Sequence, residues 1–288
     1  MLVYRAIDWM SGKFAAADGR VALELSGVST GRYASSAIRV MTFNIRCNEF
    51  TEERIDLVFR MIDLYAPDTI GFQEATVDWM NVLKERLEDR YGCVGVGRNA
   101  DHSGEASPVF YLKSKFELID SGTKWLSETP DVSGSKIEES SLPRVFSYAE
   151  LYVKATGQKF VHVNTHLEHT SETAREIQAD VLVRYLDEFR ARGLACVVTG
   201  DYNCEAGARS YNVMINSGLK NALDIADQAY EGTTYHGYGT TSKVIDHVFV
   251  TGSIGVSYYK ACTETFRYSN GSVAYPSDHN PVIVDCEI

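Results

Sequence analysis

The segment Leu194-Ala-Cys-Val-Val-Thr-Gly-Asp-Tyr-Asn203 joins a run of apolar and β-branched residues to a polar end. Such a run is typical of a buried strand, and Gly200 allows another group to approach the backbone closely. Residues two apart in an extended chain point the same way, so Asp201 and Asn203 can contact one ligand together. Taken alone, the segment is equally compatible with an ordinary turn at the end of a strand.

The same combination of an apolar strand and a polar end recurs along the chain. A buried carboxylate is costly unless it is paired or bound to a cation, so each recurrence needs a reason. Each also has an ordinary structural explanation; Glu74, for example, could cap a helix. We expect the segments to converge on one site, because six coincidences are improbable together. Four other segments end in this way: Phe43-Asn44, Phe72-Gln-Glu74, Val163-Asn-Thr-His166 and Ser277-Asp-His279. A sixth segment, Ile245-Asp-His247, places a carboxylate inside an otherwise apolar strand.

The types of side chain in these segments indicate a chemistry. Carboxylate and carboxamide oxygens with few sulfur ligands favour a hard cation, Mg²⁺ or Mn²⁺, over zinc. The sequence contains no H-E-x-x-H, G-x-S-x-G or G-x-x-x-x-G-K-[ST] motif, which argues against zinc protease, serine hydrolase and P-loop functions. Oxygen ligands together with two histidines suit metal-assisted hydrolysis of a phosphoester.

Composition limits the partners and the compartment. The chain has 288 residues, is 44% apolar and carries a formal net charge of −11, which disfavours general binding to nucleic acid without excluding a local basic patch. It has no apolar run long enough to span a membrane and no signal-like apolar segment at its start. Its six cysteines have no framework spacing and are interpreted as free thiols, so a cytoplasmic location is expected.

The order of elements predicts a mixed α/β chain. Strand patterns at residues 38–43 and 68–72 are each followed by apolar residues at helical spacing, at 55–65 and 77–87. A Ser/Gly/Glu-rich stretch, 127–141, is predicted to be a long exposed loop, and Thr173-Ala-Arg-Glu176 has the form of a capping box that opens a helix. Further strands are predicted at 109–112, 116–119, 145–153, 160–163, 194–199, 244–250 and 281–285.

Two regions are distinguished along the chain. Residues 1–36 carry no recognisable chemistry and are predicted to be an N-terminal extension, a hairpin or a strand added to a sheet edge. Residues 37–288 contain no internal repeat and are predicted to form one domain.

The motifs running from Met41-Thr-Phe-Asn44 to Ser277-Asp-His-Asn-Pro281 resemble, in order, those of the endonuclease/exonuclease/phosphatase (DNase I-like) superfamily. The resemblance implies a four-layer α/β sandwich, with two mixed, mostly antiparallel sheets packed face to face and helices outside. Val244-Ile-Asp-His247 departs from the Cys-Asp-Arg signature of the inositol polyphosphate 5-phosphatases. The segments Gly97-Arg98, Phe110-Tyr111 and Leu126-Ser-Glu-Thr-Pro130 are instead similar to bacterial metal-dependent hydrolases of the superfamily.

The resemblance also implies roles for individual residues. Glu74 would be the principal ligand of one or two Mg²⁺ or Mn²⁺ ions, with Asn44 assisting and Asp278 as a further ligand. Asp201 would activate the attacking water or protonate the leaving group. The remaining catalytic positions would be Asn203, which holds a phosphate oxygen, His166, which stabilises pentavalent phosphorus, and His279, which faces the scissile phosphate and is oriented by Asp246.

Specificity is expected to come from the loops at the strand ends. Candidate substrate-binding residues there are Arg98, Arg144, Arg175 and His236, since arginine clamps phosphate and an aromatic ring can stack on a base or sugar. The expected substrate is a phosphorylated small molecule, lipid or sugar, cleaved as a phosphodiester or phosphomonoester. Two alternatives stay open: an endo- or exonuclease acting on DNA or RNA, and an inactive binding scaffold.

Overall fold

A computed structural model describes residues 37–268 and 270–288, together with the strands Lys13–Ala15 and Val21–Glu24. The helices are α1 (Glu52–Tyr65), α2 (Val77–Leu87), α3 (Glu172–Ala191), α4 (Arg209–Asn216) and α5 (Ala222–Ile225), with a 3-10 turn at Gly237–Gly239. The strands are β1 (Lys13–Ala15), β2 (Val21–Glu24), β3 (Ile38–Asn44), β4 (Thr69–Gln73), β5 (Tyr91–Val94), β6 (Val109–Leu112), β7 (Phe116–Trp125), β8 (Val145–Val153), β9 (Lys159–His166), β10 (Ala195–Asp201), β11 (Leu219–Asn221), β12 (Gln228–Tyr230), β13 (Asp246–Thr251), β14 (Gly255–Ala261), β15 (Thr265–Tyr268), β16 (Val273–Ala274) and β17 (Val282–Glu287).

Two large mixed sheets form the centre of the fold. The seven-stranded sheet has the order β12-β14-β17-β3-β4-β6-β5, and the six-stranded sheet has the order β11-β13-β10-β9-β8-β7. Parallel pairing joins β3 to β4, β9 to β10 and β12 to β14, while the other paired strands of these sheets are antiparallel. The predicted mixed, mostly antiparallel sheets are confirmed.

Three apolar layers hold the sandwich together. The layer between the sheets joins Val40 and Val284 of the seven-stranded sheet to Phe160 and Val197 of the six-stranded sheet. On the outer face of the seven-stranded sheet the apolar residues of α1 and α2 are buried, and on the outer face of the six-stranded sheet those of α3 and α4 are buried. The expected four-layer arrangement, helices outside and sheets inside, therefore follows from which faces of the elements are apolar.

Helix boundaries follow the capping side chains. Thr51 and Thr76 precede α1 and α2, and each hydroxyl accepts a hydrogen bond from a backbone N–H of the first turn. The predicted start of α3 was wrong by two residues. Ser171, whose backbone is extended, is its N-cap and accepts from the N–H of Ala174, so Thr173 already lies inside the helix.

A histidine connects the sheets through the middle of the interior. His162 of β9 is fully buried, and its Nδ1 lies 2.7 Å from the Thr69 hydroxyl of β4. Its Nε2 lies 2.9 Å from the Thr199 hydroxyl of β10. Thr69 donates its own proton to the carbonyl of Phe110, so it accepts from Nδ1–H. Burial lowers the pKa of His162 to about 3, so the ring is neutral at ordinary pH.

A second polar contact between the sheets lies nearer the strand ends. Asn164 of β9 donates to the carbonyl of Phe72 at 2.6 Å and accepts from the Gln73 amide at 2.6 Å. Gly71 makes this approach possible, because a Cβ there would lie 2.3 Å from the Thr199 hydroxyl oxygen and 2.4 Å from Asn164 Oδ1. The ends of β4, β9 and β10 are therefore fixed relative to one another.

Within the predicted N-terminal extension, the structure describes only the two strands β1 and β2. β1 and β2 pair antiparallel, and β2 also pairs with β15, which pairs with β16. The rest of residues 1–36 lies outside the described residues, and the division at residue 36 stays a prediction.

The predicted loop is confirmed, since residues 126–144 contain neither helix nor strand, and all six cysteines are free. Among the described helices, none is long and apolar enough to span a membrane.

Candidate active site

Five strands bring their polar residues to one edge of the sandwich. Asn44 ends β3, and Glu74 follows the last residue of β4, the neighbouring parallel strand. On the six-stranded sheet, Asp201 ends β10 and is in register with His166, the last residue of β9. Asp246 is in register with Asp201 from the other side, because β13 is antiparallel and begins where its neighbour ends. The register of the strands therefore brings these residues close together.

Glu74 and Asp201 are joined by an amide. The Asn44 Nδ2 group donates to Glu74 Oε1 at 3.0 Å and to Asp201 Oδ2 at 2.9 Å. The other oxygen of Glu74 accepts from the backbone N–H of Cys47 at 2.8 Å. Burial acts to raise the pKa of Glu74, but these hydrogen bonds outweigh it and the pKa is lowered. Glu74 also has φ of 60°, a strained conformation for a non-glycine residue.

Asp201 lies at the centre of the cluster. Its side chain is 1% exposed, and Oδ1 accepts from the backbone N–H of Asn203 at 2.9 Å. Its Oδ2 lies 3.5 Å from His166 Nε2 and 3.8 Å from His279 Nε2. Burial, followed by the charge of Asp246, raises the pKa of Asp201 to about 7. This carboxylate is therefore suited to take up and release a proton near neutral pH.

Asn203 and His166 occupy the side of Asp201 away from β13. The Asn203 amide donates to His166 Nε2 at 3.0 Å and to the carbonyl of Leu167 at 3.1 Å. Asn203 has φ of 50°, which turns the chain sharply at the end of β10. Burial, followed by the charges of Arg144 and Arg98, lowers the pKa of His166 well below its usual value, so the ring is neutral.

His279 and Asp246 form a hydrogen-bonded pair. His279 Nδ1 donates to Asp246 Oδ2 at 2.9 Å, which leaves Nε2 directed at Asp201. Burial acts to lower the pKa of His279, but the neighbouring carboxylates, led by Asp246, raise it to about 10. The backbone N–H of Asp246 donates to the Thr234 hydroxyl, whereas its Oδ1 is buried with no hydrogen-bond partner among the described residues.

The donor set fits a divalent cation. One atom each from Glu74, His166 and Asp201 lie within 4.8 Å of one another, and the same is true of Asp201, Asp246 and His279. Three buried or largely buried carboxylates concentrate negative charge here, and one of their oxygens has no partner. Oxygen-rich donors of this kind are those that Mg²⁺ and Mn²⁺ prefer.

Asp278, the third predicted metal ligand, has a different neighbour. Its Oδ2 forms an ion pair with Arg46, and it belongs to neither group of ligand atoms found among the described residues. Arg46 was missed at the sequence level, although it follows the end of β3 by two residues. Its guanidinium also lies 5.4 Å from the Tyr238 ring centroid.

The arginines predicted to bind substrate have three different environments. Arg144 is 4% exposed, and its Nε and Nη1 have no hydrogen-bond partner among the described residues. It lines a cavity of about 10 Å³ with His166 and Arg98. Arg98 pairs with both oxygens of Glu105, at 2.9 and 2.7 Å. Arg175 donates to backbone carbonyls of residues 168 and 169, which gives it a role in holding that loop.

Glu168, which forms an ion pair with Arg144, is a second site residue that was not predicted from the sequence. Glu168 is fully buried and lies 3.6 Å from Arg144 Nε. Hydrogen bonds, the largest from Ser141, overcome the effect of burial and lower the pKa of Glu168 far below its usual value. Ser140 and Ser141, from the long loop, both donate to its oxygens. The only signal in the sequence was its position two residues after His166.

His236 lies beside Asp278 and His279. Its backbone N–H donates to the carbonyl of Asp278 at 2.9 Å, and its ring stacks on Tyr275 with centroids 4.8 Å apart. Burial lowers the pKa of His236. Every predicted site residue except Arg175 thus lies in, or directly contacts, the strand-end cluster or the cavity beside it.

Comparison with known proteins agrees with this geometry. A family model described as the endonuclease/exonuclease/phosphatase family matches residues 41–279, and the chain belongs to this family. Its members of known structure share the DNase I-like sandwich. Comparison with curated proteins gives no match.

Three solved structures illustrate the likeness. A mannosyl-6-phosphatase of Bacteroides thetaiotaomicron VPI-5482 is 30% identical, with a TM-score of 0.82 over 87% of this chain and 100% of that one. A family protein from Bacteroides vulgatus is 31% identical, with a TM-score of 0.80 over 88% and 100%. The human nocturnin catalytic domain with bound sulfate is 21% identical, with a TM-score of 0.66 over 88% and 94%, which shows the fold alone.

Proposed function

We propose that the protein is a divalent-metal-dependent phosphoesterase that hydrolyses its substrate by in-line attack of an activated water. The observation that carries the proposal is the position of Asp201. One oxygen of this buried carboxylate lies within 4 Å of the Asn44 amide, His166 and His279, which come from three separate parts of the chain. A carboxylate, an amide and two imidazoles around one point suit phosphoryl transfer to water.

Glu74 is the proposed principal holder of the cation, with Asp201 beside it, and Asn44 assists by orienting both carboxylates through its amide N–H groups. When bound, Mg²⁺ or Mn²⁺ would neutralise charge on the phosphoryl oxygens. Asp278 stays a predicted ligand, but its ion pair with Arg46 supports an indirect role. The two groups of ligand atoms adjoin at Asp201. One ion binds if only one group is filled, and two bind if both groups are filled at once.

Different residues are proposed to transfer protons and to stabilise charge on the phosphoryl group. Asp201, whose pKa is raised to about 7, accepts the proton of the attacking water or returns one to the leaving group. Protonated His279 donates from Nε2 to a phosphoryl oxygen, and Asp246 holds its ring in the required orientation. Asn203 and His166 would hold further phosphoryl oxygens as charge builds up at phosphorus, once the substrate replaces the hydrogen bond between the Asn203 amide and His166 Nε2.

Arg144 is proposed to bind an oxygen of the same phosphoryl group. Its cavity has room for about one water-sized atom, and Nη1, which has no hydrogen-bond partner among the described residues, is available as a donor. Arg98, held in place by Glu105, adds positive charge to the cavity wall. The anchoring of Arg144 by Glu168 supports a fixed rather than a mobile phosphate contact.

The proposed substrate is a phosphorylated small molecule, and a phosphorylated sugar is favoured. The 30% identical relative is described as a mannosyl-6-phosphatase. The net charge of −11 gives no support to binding of long nucleic acids. An inactive scaffold is disfavoured because every side chain that the mechanism uses is present. A cytoplasmic location stays a prediction.

Metal dependence and one substitution test this function. Chelator-treated protein should cleave an activated aryl phosphoester only after Mg²⁺ or Mn²⁺ is added. His279→Ala should lower kcat by about 10²- to 10⁴-fold, because its proton-donating group is lost. His102→Ala, an exposed histidine outside the cluster, serves as the control. Absence of turnover with either metal would refute the hydrolase, and near-normal activity of His279→Ala would remove His279 from the mechanism.

A further inference from the structure

Four aromatic side chains lie close to His279 and Asp278. This aromatic platform consists of Tyr235, His236, Tyr238 and Tyr275. The Tyr235 ring lies 4.8 Å from the His279 ring, between centroids. The His236 and Tyr275 rings are stacked 4.8 Å apart at an angle of 29°, and Tyr238 lies edge-on to Tyr275 at 5.7 Å. Tyr235 therefore contacts the proposed catalytic histidine directly, and the other three rings contact one another beside Asp278, whose carbonyl accepts from the His236 N–H.

The platform is fixed to the site by its backbone. The N–H groups of His236 and Gly237 both donate to the carbonyl of Asp278, at 2.9 and 3.2 Å. Tyr238 has φ of 56° and its hydroxyl donates to Glu49 Oε2 at 3.1 Å. A non-glycine residue with positive φ persists only where the surroundings determine it strongly. The rings are thus held ready for a ligand in one arrangement.

Several polar groups of the platform are unused. Within the described part of the chain, the hydroxyls of Tyr235 and Tyr275 make no hydrogen bond to protein, and both side chains are half-buried. His236 is 9% exposed, and its Nδ1 is buried without a partner among the same residues. The two tyrosine hydroxyls are not buried, so a ligand with hydroxyl groups can reach them. A buried polar atom without a partner is costly, so packing alone does not explain the position of His236 Nδ1.

We infer that the aromatic platform binds the leaving group of the substrate, and that this leaving group is an uncharged sugar ring. The inference rests on the proposed phosphoester hydrolysis. A sugar presents an apolar C–H face to aromatic rings and hydroxyls to the phenol and imidazole groups around them. An acyl chain would leave the three polar groups unpaired.

Truncation of Tyr275 tests the inference. We would measure kcat/KM of the metal-loaded enzyme for mannose 6-phosphate, which has a ring, and for glycerol 3-phosphate, which is acyclic. Tyr275→Ala should lower kcat/KM for the sugar phosphate by about tenfold, because the stacking face is lost, and that for glycerol 3-phosphate by less than about threefold. Tyr275→Phe should lie between wild type and Tyr275→Ala, since it keeps the ring and loses the hydroxyl. Tyr230→Ala, at an exposed tyrosine on β12, is the matched control.

The outcomes separate this inference from the proposed function. Equal losses on both substrates, or no loss on the sugar phosphate, would overturn the platform while leaving the hydrolase intact. Binding is read without turnover by calorimetric titration of mannose 6-phosphate into Asp201→Asn protein with and without Tyr275→Ala. Tyr275-dependent binding by a protein whose wild type hydrolyses neither substrate would uphold the subsite and refute the hydrolase. Matching unfolding temperatures of the variants confirm that each is folded.

Discussion

Lowering the pH should weaken the fold through one histidine between the sheets. The neutral ring of His162 connects Thr69 to Thr199, and burial lowers its pKa to about 3, against 6.5 for an exposed histidine. The unfolded chain therefore binds this proton more readily than the folded chain does. The contribution of neutral His162 to the free energy of unfolding is complete above pH 6.5 and is lost as the pH falls from 6.5 toward 3.

The size of the effect follows from the two pKa values. At pH 4.5, two units below the unfolded value and above the folded one, protonation of the unfolded chain lowers the free energy of unfolding by about 3 kcal/mol. That is a large share of the ~5–15 kcal/mol that stabilises a typical domain. Because the threonine partners of His162 lie on β4 and β10, the same loss loosens the strands that end at Glu74 and Asp201.

Urea unfolding at pH 7.5 and pH 4.5 measures this loss. Between the two pH values, wild type should lose about 3 kcal/mol more than His162→Gln, whose amide can bridge the two hydroxyls without titrating. His102→Gln, at an exposed histidine, should behave as wild type. Carboxyl groups titrate equally in all three proteins and cancel in the comparison. If His162→Gln and wild type lose the same free energy, the buried neutral histidine does not control acid stability.

Two further substitutions test the cation site and the contact between the sheets. Glu74→Gln should raise the Mg²⁺ or Mn²⁺ concentration needed for half-maximal activity by at least about tenfold, because the proposed principal ligand loses its charge. Glu85→Gln, at an exposed carboxylate on α2, is the control, and an unchanged metal titration of Glu74→Gln would move the cation elsewhere. Gly71→Ala should lower the free energy of unfolding by about 1–3 kcal/mol, because its Cβ would lie 2.3 Å from the Thr199 hydroxyl. Gly252→Ala is the control, because φ there is likewise not positive and an added Cβ would meet only the Lys220 Cε, at 3.9 Å; an unaltered Gly71→Ala protein would show that the sheets can separate freely.

The site was largely predictable because its residues obey a local rule. A polar residue at the end of an apolar strand is visible in the sequence, and Asn44, Asp201 and Asp246 stand at the ends or the start of real strands. Strand ends at one edge of a sandwich must be neighbours, so the local rule leads directly to a cluster. The family motifs added the expected roles, which the structure leaves as proposals.

Other features depended on contacts between distant residues. The ion pair between Asp278 and Arg46, 232 positions apart, could not be read from the sequence, and the role of Asp278 as a metal ligand stays a prediction. Arg98 and Arg144 looked equivalent, but Glu105 occupies one guanidinium while Arg144 keeps unpartnered donors. Charge and burial depend on what packs against a side chain, and no local pattern contains that information.

The sequence by itself determined the alternation of apolar strands and amphipathic helices, the chemical identity of the donors and the arguments against zinc protease, serine hydrolase and P-loop functions. These follow from residue type and short-range spacing, which do not change on folding. Only the tertiary structure decided the proton affinities of Asp201 and His279, the pairing of Asp278 with Arg46 and the assembly of the aromatic platform. Each of these arises where two sheets bring separate segments within a few ångströms and exclude water, so that electrostatics and ring contacts act over distances that the sequence does not specify.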